Sequence, residues 1–451
     1  MEREKLASRL GFILLSAGCA IGLGNVWKFP YMTGQYGGGI FVLIYIFFLA
    51  ALGIPAMTME FAIGRAAQSS PVRFYKALNS GKIWHIHGYL AFFGNYLLMM
   101  FYTGVAGWML DYFVKMASGT FNGLSPQEVG AVFGGMLGNP AEIIFYMIVV
   151  VFGGFAVCAA GLQNGSERIN KFMMMALLLV MLMLVVNSFS VDGGIEGLKF
   201  FLLPDVDRFM AIGPTQVVLG ALNQAFFTLS IGIGNMAIFG SYIGKERRLL
   251  GESVNVAALD TFVAISAGLI IFPACFAFGI KPDAGPSLIF ITLPNVFNHM
   301  ALGQFWGALF FVFMSFAAFS TVVGVFENIV SCTKELFGCT RKAACLGNAV
   351  LLSVLSAPCM LGFNLWSSFQ PFGKGSCVLD LEDFILSNIL LPLGALIFVL
   401  FCTWKHGWGW DNFIAEANTG KGLKIQAWMR PVMSYVMPVI ILVIWIAGFI
   451  K

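Results

Sequence analysis

Three glycines and an asparagine interrupt the first long apolar segment of this sequence, at residues 17–30 (AGCAIGLGNVWKFP). Glycine inside a helix costs about 1 kcal/mol relative to alanine, and a helix in lipid must satisfy its own backbone hydrogen bonds. Gly18, Gly22 and Gly24, with Asn25 beside them, therefore predict a helix that opens at mid-membrane. The opening would expose carbonyl groups, which coordinate cations, and amide groups at a helix N-terminus, which bind anions. These residues indicate a site that holds a cation and an anionic group together.

A second interruption is predicted within residues 223–242 (NQAFFTLSIGIGNMAIFGSY), where Gly232 and Gly234 follow Thr228 and Ser230. This segment is the sixth apolar segment, five after the first, so the two run through the membrane in opposite directions. Matched interruptions in two halves of a chain are typical of an inverted repeat with its site between them. The alternative, close helix packing through small residues, explains one such segment more readily than a matched pair.

The elements that must position these residues are membrane-spanning helices, because 59% of the 451 residues are hydrophobic and only 11% are charged. This composition excludes a soluble globular protein. There is no basic cluster with interleaved aromatic residues, so nucleic-acid binding has no support. No small-residue cleavage site follows the charged start, so we do not expect a signal peptide. The eleven predicted spans lie near residues 10–31, 39–67, 84–114, 141–161, 167–190, 216–243, 252–280, 303–335, 343–364, 381–404 and 430–450.

Lys and Arg predict the orientation, because alternate loops hold 19 of the 26 such residues. The positive-inside rule then places the N-terminus in the cytoplasm, and an odd number of spans places the C-terminus outside. Two external stretches, 191–213 and 281–300, are too polar or too short to cross and predict helices that pack over the external face. Cys359 and Cys377 flank one external loop and are candidates for a disulfide bond.

Five stretches of this sequence resemble the neurotransmitter:sodium symporter family: RLGFILLSAGCAIGLGNVWKFPY, YGGGIFVLIY, GIPAMTMEFAIGR, NQAFFTLSIGIG and GPSLIFITLP. The resemblance runs from about residue 9 to 450 and is nearest to bacterial amino-acid symporters with eleven spans. It implies an all-α membrane protein of the bacterial plasma membrane, with an inverted 5+5 helix repeat and discontinuous spans 1 and 6. The whole chain, 1–451, would be one transporter domain: repeat one at 8–190, repeat two at 214–405 and an extra span at 430–450.

The resemblance also implies two sodium ions and their ligands. These ligands are carbonyl, hydroxyl, amide and carboxylate oxygens, which suit a small hard cation. The first set is Ala20, Asn25, Thr228 and Asp260, completed by the carboxylate of the substrate. The second set is Gly18, Ile21, Ala317, Ser320 and Thr321. The two hydroxyls of the second set could instead bond to their own helix turn.

The implied cargo is a hydrophobic L-amino acid, with an aromatic side chain as one option. Its carboxylate would bind the amides of Leu23 and Gly24 and the Tyr102 hydroxyl, since monoamine carriers have Asp where this chain has Gly22. Its amino group would face Ala20, Phe227, Thr228 and Ser230. The pocket for its side chain would comprise Leu98, Phe227, Ile233, Thr321, Gly324 and Val325, with Gly324 leaving room for bulk.

Gates are implied on both sides of this site. On the external side, Lys28 and Asp383 resemble the charge pair of the family, and Phe227 would close the pocket. On the cytoplasmic side the implied latch consists of Arg3, Ser241, Tyr242 and Glu335, although Leu6 replaces a Trp of the family. Glu60 is an acid within a span and so predicts a functional contact, namely with the opened span 6.

The combined expectation is sodium-coupled import by alternating access that does not require chloride, because Asp260 supplies a fixed negative charge. Tyr45 and Gln224 remain from the family's chloride site, whereas Ala264 is apolar. A proton-coupled carrier remains open because Asp260 could titrate. A channel would need a continuous polar pore, and a substrate sensor would need a signalling domain. An enzyme is not expected, since no His, Cys and Asp cluster has catalytic spacing.

Overall fold

Apolar helices form most of the structure, a computed structural model that describes residues 3–78, 81–189, 193–277, 279 and 288–449. Within these residues, nine continuous helices are long and apolar enough to cross a membrane. They correspond to predicted spans 2–5 and 7–11, and we keep these numbers. Their bounds are Gly39–Ala67, Ile83–Ala117, Pro140–Ala159, Leu162–Ser188, Leu249–Ala277, Gly303–Phe337, Arg341–Leu361, Val378–Thr403 and Met429–Ala447.

Span 1 is bent at the predicted interruption. It consists of two helices, Arg9–Ala20 and Gly24–Gln35, whose axes differ by 53°. The Asn25 side chain accepts a hydrogen bond from the Gly22 amide (3.1 Å) and so satisfies a backbone donor at the bend. Counted as one span, this pair raises the number of crossing elements in the described chain from nine to ten.

Span 6 is also interrupted, between the helices Pro214–Thr228 and Asn235–Gly240. Each half is too short to cross alone, so the predicted total of eleven depends on counting this broken pair as one span. The six intervening residues include Ser230, Gly232 and Gly234 with positive φ (51°, 109° and 73°). A Cβ on Gly232 would lie 2.2 Å from the Leu391 carbonyl oxygen. Only glycine allows this close approach to span 10.

Short helices connect the spans and cover their ends. In the predicted external stretches, Ile195–Leu202, Val206–Ile212 and Leu293–His299 are helical, as expected. Residues 191–192 and 281–287 of these stretches lie outside the described residues. Phe290, just before the last of these helices, stacks on Phe133 with centroids 5.2 Å apart. Cys359 and Cys377, the candidates for a disulfide, are both free thiols.

Spans 3 and 8 pack against each other over much of their length, and spans 1 and 6 contact them near the centre of the molecule. The interior is apolar, but it encloses fully buried polar groups such as Asn25, Glu60, Asp260 and Ser320. Polar groups in such surroundings need hydrogen-bond partners, so their neighbours identify the site. We call the membrane face that carries Arg3 the N-terminal face; it is the face predicted to be cytoplasmic.

Candidate substrate and ion site

A small cavity lies where the two interrupted spans face spans 3 and 10. Its volume is about 20 Å³, far below the several hundred Å³ of pockets that hold a whole ligand. The walls are therefore closed together in this conformation. The lining residues are Ala20, Gly22, Gly24, Leu98, Tyr102, Phe227, Thr228, Ser230, Ile233, Thr321, Leu386 and Leu391.

Nine of the twelve predicted substrate residues line this cavity, and the other three do not. Leu23 lies next to it and lines a second cavity on the side opposite the N-terminal face. Gly324 and Val325 are absent from the lining. A Cβ on Gly324 would lie 2.7 Å from the Cys19 Cβ, so the space at Gly324 accommodates span 1. The expectation that Gly324 leaves room for a bulky cargo is therefore not supported by its position.

Sequence reasoning missed three lining residues. Leu386 and Leu391 belong to span 10 and carry no signal that separates them from other apolar residues of that span. Gly22 was predicted to help open span 1 and to stand where monoamine carriers have an acid, but not to line the cavity. A Cβ on Gly22 would lie 2.3 Å from the Tyr102 hydroxyl oxygen and 2.4 Å from Thr321 Oγ1. Glycine at this position lets both hydroxyls reach the opened backbone of span 1.

The predicted carboxylate-binding groups are adjacent in the structure. The Leu23 amide donates a hydrogen bond to the Tyr102 hydroxyl oxygen (3.0 Å). Tyr102 is 5% exposed and lines the cavity. In this closed arrangement the proton of the Leu23 amide is used by the phenol oxygen. A carboxylate that replaced this contact would meet two donors, the amide N–H and the phenol O–H, of the kind that stabilises a buried anion.

The predicted ligands of the first sodium ion form one buried hydrogen-bonded group around Asp260. The Asp260 carboxylate accepts hydrogen bonds from Asn25 Nδ2 (2.8 Å) and Thr228 Oγ1 (3.0 Å). The Tyr45 hydroxyl lies 3.4 Å from Asp260 Oδ2, the oxygen that also accepts the hydrogen bond from Thr228. Asp260 is fully buried, and an isolated buried carboxylate is costly unless a positive charge or several donors accompany it. Thr228 of span 6 and Asp260 of span 7 contribute oxygens that suit a cation, whereas Asn25 presents its amide nitrogen to the carboxylate and its oxygen to the Gly22 amide.

The predicted ligands of the second sodium ion also converge. Thr321 Oγ1 lies 3.3 Å from the Gly18 carbonyl oxygen and 3.2 Å from that of Ile21. Ser320 Oγ lies 2.9 Å from the Ala317 carbonyl oxygen. The back-bonding alternative is therefore present, but it is not the whole arrangement, because the Thr321 hydroxyl also reaches span 1. Five neutral hard oxygens in one place suit Na⁺.

Asn170 of span 5 is a neighbour of this second set that the sequence did not indicate. Its Nδ2 donates to the Ser320 carbonyl oxygen (3.4 Å). A Cβ on Gly18 would lie 2.4 Å from Asn170 Oδ1, so this glycine allows the contact. An asparagine near the start of the apolar segment 168–188 was the signal that could have identified it.

The remaining polar groups near the interruptions support the opened backbone. Glu60 accepts a hydrogen bond from the Gly232 amide (2.6 Å), the contact with span 6 that the sequence predicted. Gln224 Nε2 donates to the Gly24 carbonyl oxygen (2.9 Å). Ala264 is fully buried and offers no polar group.

The predicted latch forms a dense network at the N-terminal face. Arg3 donates to Glu335 (2.7 Å), Ser241 (2.7 Å) and Ser331 (3.0 Å). Its guanidinium group lies 4.6 Å from the centre of the Tyr242 ring. All four predicted latch residues are thus brought together.

A second group of charges, which the sequence did not indicate, extends the latch. Arg341 pairs with Glu327, which also accepts hydrogen bonds from Tyr242 (3.1 Å) and Ser166 (2.7 Å). Glu4 pairs with Lys334 (3.0 Å) and Arg341 (3.3 Å). Burial raises the pKa of Glu4, but these two positive charges outweigh it and hold the pKa below its ordinary value of 4.5.

The predicted external gate is arranged differently from the expectation. Lys28 and Asp383 line the same cavity of about 280 Å³, but no ion pair joins them. Instead, Lys28 Nζ lies 3.6 Å from the centre of the Phe227 ring, and Asp383 accepts a hydrogen bond from Ser387 (2.7 Å). Phe227 borders both cavities and so forms the partition between them.

Known proteins are similar to this chain over nearly its whole length. The sequence profile of the Sodium:neurotransmitter symporter family matches residues 3–122 and 133–451. An uncharacterized sodium-dependent transporter, YhdH of Bacillus subtilis, is 35% identical, with 98% of this chain and 96% of that protein covered. A sodium-dependent serotonin transporter of Drosophila melanogaster is 24% identical over 98% of this chain and 76% of its own length. The crystal structure of MhsT in complex with L-phenylalanine matches with a TM-score of 0.89 at 37% identity, covering 99% of this chain and 100% of that one.

Proposed function

Given that the chain belongs to the sodium:neurotransmitter symporter family and is a sodium-dependent transporter of the membrane, we propose that its cargo is a hydrophobic L-amino acid, with phenylalanine as the first candidate. The observation that carries this proposal is the pairing of the Leu23 amide with the Tyr102 hydroxyl above apolar walls. The complex of the similar MhsT with L-phenylalanine supports the choice of cargo class.

The cargo must bring its own carboxylate. Position 22 is a glycine, and any side chain there would collide with Tyr102 and Thr321. An acid that neutralises a bare amine thus has no room at this position. The amide and hydroxyl donors beside Gly22 favour an anionic group, while Leu98, Ile233 and Leu391 offer only apolar contact.

We propose that two sodium ions enter with the cargo. One binds the Asp260 group, where the carboxylate of the cargo completes its ligands, and the other binds the hydroxyls of Ser320 and Thr321 with the span 1 carbonyls. The Asp260 carboxylate offsets one of the two sodium charges, and a zwitterionic cargo, with its ammonium left to carbonyl groups, adds no net charge. A fixed carboxylate in this place removes the need for chloride as a counter-charge, since unbalanced charge buried at mid-membrane is costly.

Binding of L-phenylalanine to the purified protein tests the cargo. We expect binding in sodium but not in choline, and no competition by phenethylamine, which is the same molecule without its carboxylate. Tyr102→Phe should weaken binding about tenfold or more, since hydrogen bonds to charged groups contribute roughly 1.5–3 kcal/mol. Tyr89→Phe is the matched control, because Tyr89 lies on the same span and is 53% exposed. Equal competition by phenethylamine would overturn the proposed role of Gly22.

Uptake into liposomes tests the coupling ions. We expect sodium-driven uptake to persist when gluconate replaces chloride, and Asp260→Asn to lose sodium affinity. The second candidate, proton coupling, rests on the buried Asp260 carboxylate. It predicts uptake driven by a proton gradient without sodium. Wild-type uptake that stops without chloride would contradict the charge balance.

A further inference from the structure

A second small cavity lies where spans 3, 6 and 10 meet, and Ile233 separates it from the cavity proposed for the cargo. Its volume is about 10 Å³, which is close to the space that one buried water molecule needs. Leu90, Ala91 and Leu393 give it apolar walls. Of the described residues that line it, His87 is the one with a polar side chain, and we call it the His87 cavity. Only a ligand of the size of water fits such a space.

The His87 ring is buried and is hydrogen-bonded through one of its two nitrogens. It lies near the start of span 3 and is 4% exposed. Its Nδ1 shares a hydrogen bond with the Tyr75 hydroxyl of the short helix Pro71–Ala77, and the Phe398 ring packs on it with centroids 4.6 Å apart. Its Nε2 is also buried, but makes no hydrogen bond to any residue that the structure describes. A buried polar atom of this kind needs a partner.

The backbone of Gly232, within the interruption of span 6, provides a second polar group at this cavity. Its amide donates to Glu60 of span 2. Its carbonyl oxygen lies against span 10, because a Cβ on Gly394 would lie 1.9 Å from that oxygen. The His87 ring interacts with the Gly232 backbone, yet Nε2 forms no hydrogen bond with it. Two polar groups that face one space without a direct hydrogen bond are commonly bridged by water.

From these contacts we propose that the His87 cavity holds one water molecule, which joins His87 Nε2 to the Gly232 carbonyl oxygen. Through this water, His87 acts as a positioning residue for the opened backbone of span 6. Water suits either tautomer of the ring, since it can accept from an Nε2–H or donate to a bare Nε2 and still donate to the carbonyl. Glu60 then holds the amide of residue 232 from span 2, and the water holds its carbonyl from span 3.

The water acts on the cargo site through Ile233. Ile233 follows Gly232 directly and lines the cargo cavity as well as the His87 cavity. Its own carbonyl oxygen accepts a hydrogen bond from Asn95 of span 3 (2.8 Å). A shift of the backbone at residue 232 therefore moves a wall of the cargo cavity. This effect on the cargo rests on the proposed function, whereas the presence of the water does not.

A crystal structure of the cargo-free protein, at a resolution that shows ordered water, tests the site itself. We expect one density peak within hydrogen-bonding distance of both His87 Nε2 and the Gly232 carbonyl oxygen. A dry cavity would overturn the proposal, and so would a direct hydrogen bond between the ring and the carbonyl. This measurement needs no cargo, so its outcome is independent of the proposed transport function.

Two substitutions of His87 test its positioning role, because they keep different polar atoms. The glutamine amide reaches the position of Nε2, whereas the asparagine amide reaches only that of Nδ1, the atom that Tyr75 contacts. We expect His87→Gln to bind L-phenylalanine nearly as the wild type does, and His87→Asn to bind it about twofold to tenfold more weakly. His85→Asn is the matched control, because His85 lies on the same span, is half-buried and does not line the cavity.

The unfolding temperatures of the variants, measured in detergent without cargo, should follow the same order, with His87→Gln above His87→Asn. The opposite order in either measurement would mean that the ring serves Tyr75 alone and would overturn the positioning role. Equal values for the two variants would overturn it as well. A wild type that fails to bind phenylalanine would overturn the proposed cargo, and the unfolding temperatures would then decide the role of His87.

Discussion

The two faces of this transporter are closed by different kinds of contact. At the N-terminal face, ion pairs and charge-assisted hydrogen bonds join the start of the chain to spans 6 and 8, with Arg3, Glu335 and Ser241 at their centre. At the opposite face, the closure is the Phe227 ring with Lys28 lying on it. An open cavity of about 280 Å³ lies beyond that ring.

This difference indicates which face opens more readily. Hydrogen bonds between charged groups are directional and roughly twice as strong as neutral ones. Hydrogen bonds to charged groups contribute roughly 1.5–3 kcal/mol each, and several of them must break together, whereas a cation over an aromatic ring contributes about 0.5–2 kcal/mol. The Phe227 side can therefore open by movement of one ring. Opening of the N-terminal face needs free energy from another source, and ion and cargo binding are the sources that the proposed function provides.

The largest effect that would test this comparison is expected for Glu327→Gln. Glu327 is fully buried and holds Arg341, Tyr242 and Ser166 together. Its loss leaves Arg341 without its buried partner, so we expect a destabilisation of about 3–5 kcal/mol. Thermal unfolding in detergent measures it.

Glu196→Gln is the matched control for Glu327→Gln, since the side chains of Glu196 and of its partner Lys199 are 67% and 55% exposed. Its loss should lower the unfolding temperature much less, because exposed ion pairs contribute about 0–1 kcal/mol. Similar losses in both variants would contradict the view that the N-terminal face is closed chiefly by its buried charges.

The next effect is expected for Arg3→Ala, which removes the centre of the latch. Hydrogen bonds from a charged group contribute roughly 1.5–3 kcal/mol, so opening at the N-terminal face should become about tenfold to a hundredfold more frequent. Cys332 is fully buried beside Ser331, which accepts a hydrogen bond from Arg3, and its labelling by a thiol reagent, located by mass spectrometry, reports the opening. Arg208→Ala removes an exposed pair with Asp205 at the other face and should leave the labelling rate near that of the wild type. An unchanged rate in Arg3→Ala would show that the latch does not hold this face closed.

The interruptions and their partners were the part of the fold that the sequence indicated most clearly. Glycine clusters within apolar segments are rare enough to mark Gly22 and Gly232, and the structure bends or breaks both helices there. These interruptions also complicate the count of spans, because a broken helix divides into pieces, such as Asn235–Gly240, that are too short to be recognised as a span by their length.

Side-chain direction and pairing were the parts that could not be predicted. Gly324 has no side chain whose periodicity could indicate its direction, and it faces Cys19 rather than the cavity. The sequence of span 10 is apolar throughout, so nothing separated Leu391 from its neighbours. Lys28 and Asp383 share a cavity as the family resemblance implied, but the ring of Phe227 attracts the lysine in this conformation.

At the opposite face, Lys28→Met should weaken the closure over the site. The lysine lies 3.6 Å from the centre of the Phe227 ring, and loss of a cation–π contact costs about 0.5–2 kcal/mol. We expect bound cargo to dissociate about twofold to thirtyfold faster, as measured by stopped-flow exchange of labelled L-phenylalanine. Lys28→Arg keeps the contact and should stay near the wild type. An unchanged dissociation rate in Lys28→Met would contradict the role of this contact in closing the site.

The smallest effect is expected for Glu4→Gln, and it depends on pH. The pKa of Glu4 is held below 4.5 by Arg341 and Lys334 although burial acts in the other direction. A carboxyl group whose pKa is lower in the folded protein contributes stability that is present above its unfolded-chain value and is lost as the pH falls through the folded value. The contribution of Glu4 to closure should thus be full well above pH 4.5 and be lost gradually as the pH falls below 4.5 and through the lower folded value. Because Glu4 is 40% exposed, this contribution is at the scale of an exposed ion pair, about 0.2–1 kcal/mol.

Labelling of Cys332 from about pH 6 to about pH 3, corrected for the intrinsic rate of the reagent, should therefore rise with acid more in the wild type than in Glu4→Gln. Glu128→Gln is the matched control at the other face, where hydrogen bonds from Ser125 lower the pKa of an exposed carboxyl. Its labelling profile should follow the wild type, and a profile of Glu4→Gln that does so as well would assign the acid response of this face to other groups.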